Sequence, residues 1–257
     1  AERGRHRHGF RGTADQSTTP TFTITGAFDT GESGMGTLVV NSGILSQGPA
    51  ANAFFLGRND GSDGTMILSN GVVTTLGTFI VASAQGASGR FEMHGGTMTN
   101  NNGVRIGDWS TNAVASYVGG NVVIAGGLDV GNSTGSVAAA YLGDGVSSPT
   151  MEVGGGNTHI GDSGNGTFVM RSGTFNQLNN NFIVGQNAES WGLFIMSNGV
   201  LNAGGGFRIA NGGTGIVEHV GGTINVGGTF DMNNRNTDFS DSLYRIRGGT
   251  LNVGTNA

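Results

Sequence analysis

Apolar residues in this chain come in short bursts that alternate with polar or small residues, and the bursts recur. One octamer carries the pattern: Gly, any residue, apolar, any, apolar, any, a small residue, Gly. It reads GTLVVNSG at 36–43, GTMILSNG at 64–71 and GRFEMHGG at 89–96, then GTFVMRSG at 166–173, GLFIMSNG at 192–199 and GIVEHVGG at 215–222. Weaker copies start near Ala113, Gly135 and Ser242. The nine starts lie 28, 25, 24, 22, 31, 26, 23 and 27 residues apart, a repeat of about 26 residues.

Each octamer runs into a second short segment, such as GTMTN at Gly96, GTFNQ at Gly173, GVLNA at Gly199, GTINV at Gly222 and GTLNV at Gly249. A third follows after a glycine-rich corner: VRIG at Val104, LDVG at Leu128, THIG at Thr158, FIVG at Phe182, FRIA at Phe207 and FDMN at Phe230. All three alternate with the period of a strand that buries one face, and no segment shows a helical period. A turn this small cannot bury its own apolar face, so it must stack on its neighbours. Stacking sets like strands ~4.8 Å apart and pairs their backbones. The sequence therefore predicts an all-β fold, a right-handed parallel β-helix (β-solenoid) of about nine turns of ~26 residues with three short strands each, roughly 43 Å long. Coils built on an 18-residue hexapeptide repeat are shorter and more uniform than these elastic units. The nonapeptide of calcium-loaded rolls does not occur in series.

The two apolar octamer positions should point inward, as in Leu38/Val40, Met66/Leu68, Phe91/Met93, Phe168/Met170 and Phe194/Met196. Met98, Phe175, Leu201, Ile224 and Leu251 of the second strand and pairs such as Val104/Ile106 of the third should join them. Asn176, Asn202, Asn225 and Asn252 recur at one place in four successive turns, after Ser46, Thr74 and Thr99. Stacked amides of this kind form a ladder; a sugar-binding strip is the competing use. The outward middle of the third strand reads Asp29, Phe55, Ile80, Arg105, Asp129, His159, Ile183, Arg208, Asp231. Ion pairs Arg105–Asp129, Arg208–Asp231 and Glu218–Arg245 are expected between adjacent turns. Outward apolar residues (Val39, Ile67, Val169, Ile195, Phe55 and Ile80) make a candidate lateral contact.

Composition narrows the function. Gly is 51 of 257 residues, charged residues are 11%, Cys is 0, and all twelve cationic side chains are Arg. Without cysteine there is no disulfide, thiolate nucleophile or Cys-based metal site. Net charge is −5, which argues against general nucleic-acid binding. No apolar run approaches the ~20 residues of a membrane-spanning helix, so membrane insertion is not expected. No cofactor or metal site is expected. Residues 1–20 form a separate basic arm, with four Arg and two His among the first eleven residues, and 21–257 form the solenoid.

Units such as GTINVGGTFDM and GVLNAGGGFRIANGGTG resemble the Gly/Thr/Asn-rich β-solenoid repeats of secreted bacterial surface proteins, including autotransporter-type repeats. The resemblance spans Thr21 onward and implies an extracellular or cell-surface location with adhesive or scaffolding roles. Unlike those relatives, the 257 residues hold neither an outer-membrane barrel nor a sorting anchor. Both ends of the solenoid look uncapped and share one phase: TFTITGAFDTG begins at a second strand, and LYRIRGGTLNVG stops after one. Open edges of this kind invite stacking. The reading is a structural, non-enzymatic subunit of a head-to-tail homo-oligomeric filament. Phe22, Ile24, Leu251 and Val253 would lie at the subunit interface, and Arg3, Arg5, Arg7, Phe10 and Arg11 of the arm would dock on a neighbour. Two alternatives stand beside it. One is a monomeric glycan-binding adhesin; Trp109 and Trp191, in the inter-turn loops, are placed either to stack on sugars or to serve equally as contact residues. The other is a polysaccharide lyase or hydrolase built on Arg105, Asp129 and His159, with Glu152 and Asp162 nearby.

Overall fold

The computed structural model describes residues 19–48, 52–233 and 240–254. Strands β1 (Thr21–Ile24) and β2 (Phe28–Thr30) open the rod, followed by a turn of β3 (Met35–Val40), β4 (Ile44–Gln47) and β5 (Phe54–Leu56). The same triplet repeats as β6 (Asp63–Leu68), β7 (Val72–Thr75), β8 (Phe79–Val81), and as β9 (Ser88–Met93), β10 (Thr97–Asn100), β11 (Val104–Ile106). Next come β12 (Asn112–Tyr117), β13 (Asn121–Ile124), β14 (Leu128–Val130), then β15 (Val137–Leu142), β16 (Thr150–Val153), β17 (Thr158–Ile160). Then follow β18 (Asn165–Met170), β19 (Thr174–Gln177), β20 (Phe182–Val184), and β21 (Trp191–Met196), β22 (Val200–Ala203), β23 (Phe207–Ile209). The rod finishes with β24 (Thr214–His219), β25 (Thr223–Val226), β26 (Phe230–Met232), β27 (Asp241–Ile246) and β28 (Thr250–Val253).

Every third strand pairs in parallel with the one a turn away, so three sheets run the length of the rod. Sheet 1 holds the nine octamer strands β3 to β27, sheet 2 the ten strands β1 to β28, and sheet 3 the nine strands β2 to β26. The chain is an all-β solenoid, with no helix among the described residues.

One unit differs from the sequence reading. Ala138, not Gly135, stands opposite Ala113 and Gly166 in sheet 1, so the fourth and fifth repeats span 25 and 28 residues. The physical reason lies in two kinds of glycine. The octamer's leading glycine is there for lack of a Cβ: one added at Gly192 would lie 2.1 Å from the Ile160 carbonyl oxygen. Gly135 is a conformational glycine with φ 82° and open space around it. Alanine fits at 113 and 138 because the corner residue facing both methyls is Gly107.

Where the chain leaves sheet 3 it turns through the left-handed region in all nine turns. Gly31, Gly57, Gly107, Gly131, Gly161 and Gly185 do this at no steric cost. Ala82, Ala210 and Asn233 adopt the same conformation, with φ between 55° and 61°. The interior is a continuous apolar column. Phe28, Phe54, Phe79, Phe91 and Tyr117 contact one another in the first half. Phe168, Phe175, Phe182, Phe194, Phe207, Phe230 and Tyr244 do so in the second. Ala115 and Ala140, both fully buried, line the stretch between.

At the corner between sheets 2 and 3, buried Gln47 and Asn100 satisfy backbone groups of the turn. The Gln47 amide donates to Gly26 O (3.0 Å) and Asn52 O (2.7 Å), and accepts from Leu76 N (3.1 Å). Asn100 donates to Thr75 Oγ1 and Gly77 O, both at 2.8 Å. His219 occupies the column of the last octamer apolar position, opposite Met196 and Ile246. It is fully buried, with Nδ1 2.8 Å from the Tyr244 hydroxyl.

Candidate functional site

The same inward columns that are sealed in the middle of the rod open at its two poles. In sheet 2, Leu45, Val73, Met98 and Met151 are at most 3% exposed, whereas Phe22 at one pole is 42% exposed. At the other pole Leu251 is half-buried and Val253 is 54% exposed. In sheet 1 the inward Leu38 of the first strand and Tyr244 of the last are half-buried, and Ile246 of the last is 53% exposed. Ile24 does not share this opening: its side chain is buried. Among the described residues, β1, β2 and β3 at one pole and β26, β27 and β28 at the other each pair with one neighbouring strand. An open strand edge templates further strands. Arg3, Arg5, Arg7, Phe10 and Arg11 lie outside the described residues.

The outward apolar columns are less available than their alternation predicts. Val39 is exposed, while Ile67, Val169, Ile195 and Phe55 are half-buried. Ile80 is 5% exposed and Ile183 2%, so the expectation of an exposed column fails at both. Ile80 lies between Phe55 and Arg105, and Ile183 between His159 and Arg208. Long side chains on adjacent strands cover a smaller one with their stems. Arg58 extends this cover, its guanidinium sitting 4.7 Å from the centre of the Phe55 ring.

Sheet 2 carries the amide ladder on its outer face. Asn202 donates to Asn176, Asn225 to Asn202 and Asn252 to Asn225, each from Nδ2 to Oδ1 at 2.8 Å. Above it in the same column stand Glu152, Val123, Thr99, Thr74, Ser46 and Thr23.

The charged column of sheet 3 forms in register. Arg105 Nε stands 3.9 Å from Asp129 and Arg208 Nε 3.4 Å from Asp231, and in sheet 1 Arg245 reaches Glu218 at 2.5 Å. Exposed pairs of this kind contribute ~0–1 kcal/mol each. His159 Nδ1 lies 2.7 Å from Asp129 Oδ1 and 3.8 Å from Asp162 Oδ1. Burial pushes the Asp162 carboxyl above the usual carboxylate range, with the His159 charge opposing it. Burial also raises Asp29, against the pull of the Arg58 guanidinium 3.3 Å away. Glu92 is lowered, chiefly by its hydrogen bond from Arg90.

Asp162 joins the Arg105–Asp129–His159 group, but Glu152 does not, because it belongs to sheet 2. Asp129 is engaged by His159, and Asp162 by the Asn187 amide at 3.2 Å. His159 Nε2 is buried and has no hydrogen-bond partner among the described residues. The group acts as a clamp between turns. Among the described residues no cluster of three His, Asp or Glu is arranged to hold a metal ion, and no helix is long and apolar enough to cross a membrane. Trp109 is 56% exposed and Trp191 half-buried.

Among the described residues the poles are thus where inward apolar side chains are exposed at the last strands of the sheets. Alternation alone located these strands, but exposure depends on what stacks on them, which alternation does not report. No protein-family model, curated protein or solved structure matches this chain.

Proposed function

We propose that the chain is an extracellular structural subunit that joins end to end with copies of itself into a filament. The observation that carries this reading is the pair of poles. Among the described residues, each presents the cross-section of the same three-sheet solenoid, with the last parallel strands of the sheets and exposed apolar side chains. A head-to-tail contact between such surfaces is heterologous and does not close, so it propagates. The extracellular placement draws on the resemblance to secreted surface repeats. Sedimentation velocity and negative-stain microscopy over a concentration series test the reading. The expected result is unbranched rods one solenoid wide that lengthen in steps of roughly 43 Å; a monomer at every concentration would overturn it.

A second reading, a glycan-binding adhesin, draws on Trp109, whose exposed ring at the corner after β11 offers a stacking platform for a sugar face. Glycan-array binding by a monomeric chain, lost on Trp109→Ala, would favour it.

A further inference from the structure

The outer faces of sheets 2 and 3 carry the amide ladder and the ion pairs, whereas the outer face of sheet 1 is apolar along the middle of the rod. One outward column runs from Val114 of β12 through Ala139, Thr167 and Leu193 to Ile216 of β24. Beside it Tyr141, Val169 and Ile195 follow one another on β15, β18 and β21. Each of these side chains is half-buried, flanked by the neighbours in its own column. What they leave to solvent is one continuous apolar strip. Charges border it at both ends: Arg90 pairs with Glu92 on β9, and Glu218 of β24 with Arg245 of β27.

We propose that this strip is a self-complementary interface on which a second copy of the chain packs sideways, with the two rods antiparallel. The two-fold axis runs along β18. A rotation about a strand keeps the strand direction and reverses the rod. Strands equally far before and after β18 therefore meet, residue for residue: β15 faces β21, β12 faces β24 and β9 faces β27 of the other copy.

The facing side chains match in size and in charge. Ala139 meets Leu193, small against large, and Tyr141 meets Ile195. Val114 meets Ile216, and Val169 meets its own copy. At the border Glu92 meets Arg245. Each keeps the partner it has within its own chain, so the four charges alternate in sign across the contact. Arg171 follows β18 and falls on the axis, but its guanidinium is drawn one strand aside, 5.1 Å from the centre of the Tyr141 ring. The two copies of Arg171 lean in opposite directions, which separates them by ~10 Å along the rod.

Turning the copy about the rod axis instead, which sets the rods parallel, gives a poor match. It lays Glu218 on Ile216 and Arg245 on Leu243, or sets each charge against its own copy. A charge desolvated against an aliphatic side chain is costly. The antiparallel footprint spans the strands from β9 to β27, ~29 Å, and about six residues along each strand, ~20 Å. Counting both partners this is roughly 1,200 Å², the lower end of stable interfaces. Single rods therefore prevail when dilute, and pairs form as concentration rises. The pairing does not rest on the filament reading, because it uses the flank of the rod and not its poles.

The chain has no cysteine, so single thiols report the geometry. Thr167 and Ser116 are both outward and half-buried. Thr167 lies on the axis beside its own copy, whereas Ser116, on β12, has its copy across from β24, ~19 Å along the rod. Thr167→Cys and Ser116→Cys are each treated with a short bismaleimide over a concentration series. The expected result is a cross-linked dimer from Thr167→Cys that grows with concentration, and none from Ser116→Cys. Adding Leu193→Asp should lower the Thr167→Cys dimer roughly tenfold; an unchanged yield would place the contact on another face and overturn the proposal. A dimer from both variants, or from Ser116→Cys alone, means parallel rods and overturns it too. No dimer from either at any concentration also overturns it, whether the strip is bare or covered by another occupant such as residues 1–20. End-to-end joining holds copies of Thr167 about one rod length apart, roughly 43 Å, so it yields no cross-link, and filaments without cross-links leave the filament reading standing.

Discussion

Phe22 and Leu45 occupy one inward column, a strand apart, yet Phe22 is 42% exposed and Leu45 3%. At the far pole Ile224 is fully buried and Leu251, one strand on, is not. The residue types are alike; what differs is whether a strand lies on both sides. In a solenoid, burial is therefore a property of stacking, and each turn borrows its core from its neighbours. The middle of the rod behaves as a protein interior, while the poles have the composition of an interior with the exposure of a surface. Under the proposed filament reading, this apolar surface is the one that a second copy would cover.

The largest expected effect breaks this contrast within one column. Gly192 and Ser242 occupy the small-residue column of sheet 1, with Gly215 between them. A Cβ at Gly192 meets the Ile160 carbonyl oxygen and the Gly185 amide nitrogen, both backbone and unable to yield. Gly192→Val should cost on the order of 3 kcal/mol or more, and Ser242→Val, at the open edge, under ~1 kcal/mol. Urea melts of the two variants under monomeric conditions make the comparison. Equal losses would mean that the pole is packed like the middle.

A second pair separates folding from joining. Phe194 is fully buried among Phe168, Phe182 and Phe207, so Phe194→Ala should cost ~3–5 kcal/mol of folding stability. Leu251→Ala should cost the isolated chain under ~1 kcal/mol. It should nevertheless raise the concentration needed for filaments roughly tenfold, because the leucine is desolvated only in the joint. Scattering onset against protein concentration reads the second effect. An unchanged onset would show that the pole is not the contact.

Much of the rod was legible because alternation and period report the same thing. The inward residues, the ladder of Asn176 to Asn252 and the Arg208–Asp231 pair all lie where register alone places them. What escaped has physical causes. Gly135 misled because a glycine needed for its φ and a glycine needed for its missing Cβ are one letter in the sequence. Ile80 and Ile183 looked exposed because alternation reports direction and not what the neighbouring strands lay over a side chain. Ala82 and Ala210 hide two left-handed corners behind a residue that seldom adopts them. At the poles, alternation placed Phe22 and Leu251 in the inward column but did not report that both are more exposed than Leu45 and Ile224 beside them.

The smallest effect concerns charge across the joint. In the proposed joint, a neighbour whose β2 continues sheet 3 beyond β26 would bring its Asp29 next to Asp231, one like charge facing another. Each keeps its own arginine, Arg208 at 3.4 Å and Arg58 at 3.3 Å. Burial already holds the Asp29 carboxyl above its ordinary value of 3.8. The folded chain therefore keeps this proton at a pH where the unfolded chain has lost it. An approaching Asp231 raises the Asp29 value further, so joining takes up protons. Filament formation should strengthen as pH falls from about 7 toward 4 and level off once the carboxyl is protonated in the free subunit as well. Asp29→Asn removes the repulsion at neutral pH. Like charges on facing residues cost a few tenths to ~1 kcal/mol, so this variant should lower the filament threshold roughly two- to fivefold at pH 7 and flatten its pH dependence. Turbidity onset for the two proteins across that range is the measurement. A variant that assembles less readily at neutral pH would show that Asp29 makes a favourable contact in the joint, and that β26 does not lie beside β2.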